Sequence, residues 1–351
     1  MRTSAVAQLA VMALGIVGSM TASMRPASGG DAKTVTLRGA GATFPAPLYE
    51  KWIQTYRREN PDVFIGYDAV GSGEGQRRYL AEAVDFGASD AALSDEQMAR
   101  VHAGARLVPV TAGIVVVAYN IPGLGKPLRL SREVYAGIFS GQIRSWADPR
   151  IRAANPDAQF ANRSIAVVAR QDASGTTFAF TNHLSAVNEA WRDRGPGAGN
   201  LVDWRGVAMM ARGNEGVAAR IKGSEYSIGY VEYHFARRLG LATAHLQNRA
   251  GRYVEPGERT GQMALAANVK QMPDNLRLFL PDPEGDESYP IVTFSWLLLY
   301  GHYPEADKAA AIRKFVGWSL TTGQSFSRDL GYIPLPPEVS SVALAALDRV
   351  N

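Results

Sequence analysis

The chain of 351 residues contains no cysteine. Disulfides and thiolate metal sites are therefore excluded, as is the acylated cysteine that a lipoprotein carries at its mature N-terminus. Long uncharged runs are scarce too. After Met20 the nearest approach is "IVTFSWLLLY", short of the roughly 20 residues that a membrane helix needs. Neither sign of charge dominates: 37 Lys and Arg stand against 33 acids, for a formal net charge of +4. No basic stripe with interleaved aromatics occurs, so nucleic acid is not an expected partner, and Arg77-Arg78 and Arg237-Arg238 read as solvated faces. The histidines (His102, His183, His234, His245, His302) lack metal-ligand spacing and are expected mostly on the surface, with a structural role for His183. No metal and no cofactor is expected.

What is present begins with an export signal. "MRTSAVAQLAVMALGIVGSM" has one early arginine, then an apolar run from Ala5 to Met20, then small and polar residues. This is the layout of a secretory signal peptide, expected to cover residues 1–23, with a flexible tether over residues 24–34. A mature chain of about 325 residues can bury two cores without disulfides.

Strand-like and helix-like segments then alternate, which predicts an α/β architecture. "TVTLRGAGA", "DVFIGYDAV", "LVPVTAGIVVVAYN", "SIAVVAR" and "YPIVTFSWLLLYG" read as strands, and "PAPLYEKWIQTYRREN" as a helix with Leu48, Trp52 and Tyr56 on one face. Extended stretches near residues 111–118 and 288–294 are candidate crossings between two lobes. The first lobe is then discontinuous, residues 35–113 plus 292–351, and the second spans residues 114–291.

Three corners share one chemistry: "GAGATFPAP" (Gly39 to Pro47), "GSGEG" (Gly71 to Gly75) and "DASGTT" (Asp172 to Thr177). Each follows an expected strand and precedes an expected helix, so unpaired backbone N–H groups and a helix dipole point outward, a combination that binds anions. Hydroxyls of Thr43, Ser72, Ser174 and Thr176 add donors. The competing reading makes Thr43, Ser72 and Ser174 plain helix caps. Nucleotide motifs fail in detail: Phe44 stands where a dinucleotide fingerprint needs its third glycine, and no Gly-Lys-Ser/Thr occurs. Ser174 sits in A-S-G-T rather than a G-x-S-x-G elbow.

A fourth stretch, "VDFGASDAALSDE", puts Asp90 at a loop end and Asp85 inside its strand-like part. A carboxylate beside an anion is useful only if the ligand carries a proton. Phosphate can donate a hydrogen bond to it, whereas sulfate faces it acceptor against acceptor, and an unpaired buried group of this kind discriminates by about 10⁴ or more.

Taken in order, "GAGATFPAPLYEKW", "VDFGASDA", "RQDASGTTF", "SIGYVEY" and "LGYIPLP" resemble the periplasmic phosphate-binding proteins of phosphate-specific ABC importers, from about Arg38 to beyond Pro336. The resemblance implies a two-lobed type II clamshell, each lobe a mixed sheet flanked by helices, with the anion in the cleft. It also implies a soluble periplasmic monomer, not an enzyme, that delivers inorganic phosphate to an ABC permease and its ATPase. The motifs carry phosphate contacts to Thr43, Phe44, Ser72, Asp90, Arg170, Ser174, Gly175 and Thr176, with Asp172 orienting Arg170. Glu74, Ala173 and Arg205 depart from the family pattern. Alternatives are a binding protein or sensor for another protonated oxyanion such as arsenate, or a secreted phosphatase with Ser174 as nucleophile.

Overall fold

A computed structural model describes residues 34–204 and 208–351. The signal segment, nearly all of the tether and the departure at Arg205 lie outside the described residues.

The first helix shows why these segments fold as they do. Over Ala46–Glu59, Leu48, Trp52 and Tyr56 recur at spacing four, and all three are buried. Pro45 occupies the cap, Arg57 and Arg58 lie in the last turn, and Asn60 returns its backbone N–H to the Tyr56 carbonyl. Proline costs no hydrogen bond at a helix start, and cations favour the negative end of the dipole.

The principal strands are β1 (Val35–Gly41), β2 (Val63–Ala69), β3 (Phe86–Ser89) and β4 (Ala105–Asn120). A short β5 (Arg129–Leu130) precedes β6 (Ala166–Arg170), β7 (Ala208–Ala211) and β8 (Ser227–Glu232). Three more short strands, β9 (Ala242–Thr243), β10 (His245–Gln247) and β11 (Tyr253–Val254), lead to β12 (Val292–Tyr300). Hydrogen bonding runs in the order β2-β1-β3-β12-β4-β8-β6-β7, with β9 on β4, while β11, β10 and β5 form a small separate sheet. The β1 pairs and the β6 pairs are parallel; β12 and β4 pair antiparallel with their neighbours.

Strand β4 changes partners midway. Residues 105–114 pair with β12, and residues 115–120 pair with β8. The β4–β12 ladder is also irregular: Ser295 faces Thr111, but Trp296 faces Pro109. Proline has no N–H to give a ladder, so a proline in a central strand calls for a bulge, here at Val110. The Val110 carbonyl accepts instead from Gln324 Nε2 at 2.9 Å.

The expected strands and first helix agree closely with those observed, and β8 runs directly into a helix, Tyr233–Arg238. One expectation differs. The histidines do not lie mainly on the surface: only His102 and His302 are exposed, His234 and His245 are half-buried, and His183 is buried. Its ring bonds Tyr135 Oη at 2.8 Å and the Pro281 carbonyl at 2.6 Å, and burial lowers its pKa to about 4.

Trp52 anchors the first helix. Its ring is fully buried and stacks on Tyr49 at 5.4 Å, and its Nε1 donates to the Gly323 carbonyl at 2.7 Å. Trp52→Ala is expected to cost about 3–5 kcal/mol, read as a lower midpoint in urea-induced unfolding with an unchanged slope.

Candidate functional site

The three corners and Asp90 converge at the C-terminal ends of β1, β2, β3 and β6, where open α/β sheets place ligand sites. Their caps are not alike. Thr43 lies ahead of its helix, whose cap is Pro45. Ser72 is the first helical residue of Ser72–Leu80, with Gly71 in the cap position at φ 98°. Ser174 alone is a true cap, taking the Thr177 N–H on its Oγ at 3.2 Å. Among the described residues, no acceptor pairs with the backbone N–H groups of Thr43, Phe44, Ser72, Gly175 or Thr176. The Phe44 carbonyl is held by Tyr332 Oη at 2.7 Å.

Asp90 is 1% exposed. Its Oδ1 accepts from Ser295 Oγ at 2.7 Å, and a long 3.5 Å bond reaches its Oδ2 from Ser72 Oγ. The antiparallel β3–β12 ladder pairs Trp296 with Ser89, which brings the neighbouring Ser295 opposite Asp90. Burial pushes the Asp90 carboxyl up to about 7, against the opposite pull of Ser295, Arg170 and Ser72. The helix Gly175–Val187 meets it head-on: a methyl on Gly175 would lie 2.6 Å from both Asp90 Cβ and Ser72 Oγ. Only glycine lets backbone come so near. Asp85 sits at the other end of β3, taking the Arg38 N–H and Lys308 Nζ.

Arg170 closes the group from the far side. Its side chain is 1% exposed and forks onto Asp172, with Nε to Oδ1 at 2.8 Å and Nη2 to Oδ2. Its Nη1 lies 3.5 Å from Thr176 Oγ1. Burial works against the Asp172 carboxylate, yet the Arg170 bonds and the Gly213 N–H hold it below its usual range. The pairing fixes the guanidinium plane.

Two departures from the family pattern are accommodated. Glu74 takes Arg77 and Arg78 at 2.7 and 2.8 Å, whose hydrogen bonds lower it to about 2, so its charge is spent on the surface. Ala173 packs where Gly73 has no side chain, and Gly73 N–H donates to the Ala173 carbonyl at 3.0 Å. A cleft of about 880 Å³, lined by Thr43, Gly73, Asp172 and Asn214 and rimmed by arginines including Arg212 and Arg238, opens beside the group.

Comparison with known proteins gives the family of the chain. Residues 26–322 match the model of the PBP superfamily domain. The "Phosphate-binding protein PstS" of Pasteurella multocida is 40% identical over 306 residues, 87% of each chain. The chain belongs to this family. Another member, from Methanocaldococcus jannaschii, is 36% identical over 93% of this chain and 89% of its own. A phosphate-binding protein structure from Stenotrophomonas maltophilia shares the fold, with TM-score 0.72, 20% identity and coverage of 89% and 94%. The fold is accordingly the two-lobed one of the PBP family, and the relatives are named as binding proteins.

Family motifs did not point to two residues that the structure adds. Ser295 lies in a segment that reads as core strand. Asn214, fully buried at the start of the helix Gly213–Lys222, bonds both Thr43 and Thr176.

Asp90 leaves a mark on stability. In the fold its pKa, about 7, exceeds its ordinary value of 3.8, so its contribution is fully present below about pH 4 and lost as pH rises through 7. Comparing wild type with Asp90→Asn by denaturant unfolding without ligand, the wild type is expected to lose about 4 kcal/mol more across that window. Parallel curves refute the buried titration.

Proposed function

We propose that the chain binds inorganic phosphate in the periplasm and delivers it, as a monomer, to the permease and ATPase of an ABC importer. The observation that carries this is the buried Asp90 carboxyl, set among outward-facing amide and hydroxyl groups. Phe44, Gly175 and Thr176 give backbone N–H groups; Thr43, Ser72, Ser174 and Thr176 give hydroxyls; Arg170 gives charge. Asp90 takes the ligand's proton, and Asp172 holds Arg170 in plane. Hydrogen bonds to charged groups contribute about 1.5–3 kcal/mol each, enough together for micromolar or tighter binding after ordering costs. Among the described residues, no helix is long and apolar enough to cross a membrane, which is compatible with a periplasmic carrier.

The change of partner from β12 to β8 along β4 supports a crossing between lobes there, with the return crossing at the entry to β12. On this reading residues 35–113 plus 292–351 form one lobe and residues 114–291 the other. Hinge bending at these two crossings opens the cleft to the bound anion.

Asp90 also gives selectivity a pH dependence. Above about pH 7 it is ionised, accepts from phosphate and repels sulfate. Below that it carries its own hydrogen and can donate to sulfate, while phosphate pairs with it in either state. Sulfate affinity follows the protonated fraction, roughly a tenth at pH 8 and nearly all at pH 5. Competition calorimetry is expected to show the phosphate-to-sulfate ratio falling about tenfold between those values. In Asp90→Asn, whose amide always donates, the ratio is lower and flat. A pH-independent ratio in wild type removes Asp90 from the recognition step.

A further inference from the structure

Asn214 is fully buried at the point where the two sides of the site meet. Its amide orientation follows from chemistry: Oδ1 faces the Glu232 backbone N–H at 3.0 Å, which can only donate. Nδ2 therefore points the other way, at Thr43 Oγ1 (3.0 Å) and Thr176 Oγ1 (3.1 Å). Thr43 follows β1, and Thr176 follows β6.

A hydroxyl has two lone pairs and one hydrogen. Thr43 Oγ1 accepts from both Asn214 Nδ2 and, at 3.3 Å, the Asn214 backbone N–H. Thr176 Oγ1 accepts from Asn214 Nδ2 and, at longer range, from Arg170 Nη1. With the lone pairs engaged, each hydroxyl has only its hydrogen left to offer. Without this, either threonine can turn an oxygen lone pair to the ligand and accept the proton that Asp90 is placed to take.

We infer that Asn214 is a positioning residue: it fixes the hydroxyls of Thr43 and Thr176 as donors toward the anion and joins the two sides of the site through one amide. This rests on the phosphate-binding reading above. The ligand proton is then left with one acceptor, Asp90.

Phosphate titration calorimetry on a double-mutant cycle tests it, with wild type, Asn214→Ala, the double variant Thr43→Val/Thr176→Val and the triple variant. Asn214→Ala is expected to weaken phosphate binding about a hundredfold, the loss from impairing two hydrogen bonds to an anion. In the valine background, where no hydroxyl remains to orient, the same change is expected to cost threefold or less, because the effects share partners. An equal loss in both backgrounds, or wild-type affinity in Asn214→Ala, overturns the inference. If Asn214→Ala does not fold, as judged by its melting curve without ligand, Asn214→Asp replaces it in the cycle; failure of both to fold assigns Asn214 a purely structural role and also overturns it. No phosphate binding by wild type sinks the functional reading itself, a distinct outcome.

Discussion

A carboxyl group withdrawn from water and met by the positive end of a helix is the constraint around which this molecule is organised. Asp90 has no solvent to lower the cost of its charge, so its neighbours must supply what water does not. Ser295 does so from a strand more than two hundred positions away in sequence. The N-terminus of the helix Gly175–Val187 approaches from the other half of the ladder, near enough that residue 175 can carry no side chain.

Much around this point reads as compensation for such a close approach. Gly73 and Ala173 share the space that two ordinary side chains would contest. Asp172 spends its charge on Arg170, leaving the guanidinium aligned rather than searching among rotamers. Tyr230 braces the same corner, its hydroxyl meeting Thr177 Oγ1 at 2.7 Å and the Arg170 N–H at 3.1 Å. The corners are small because they must nest, and polar because nesting strands their backbone donors.

The corners were legible in the sequence because strand, glycine and helix follow one another within a few residues, and local chemistry names what such a turn exposes. Asp90 was legible by the same logic, as an acid at a strand end. Ser295 was not, because a serine within "VTFSWLLLY" looks like a tolerated small polar residue. Its importance arises from the antiparallel pairing of its strand with β3, a partner more than two hundred positions away. Asn214 was hidden for a related reason: its partners, Thr43 and Thr176, come together only in three dimensions. The short distances that matter most join residues whose separation along the chain carries no periodic signal. Glu74 shows the reverse case, a worrying charge in the sequence that two arginines one turn away make harmless.

The position of β12 between β3 and β4 has a kinetic side. A ribosome releases β1 through β4 early, yet their ladder has a gap that only residues 292–300 can fill. Until then β3 and β4 each present a row of unpaired amides, and the first half cannot finish on its own. Pairings of such long reach form late and slowly. A polypeptide built this way completes its central sheet only after nearly all of it has been made.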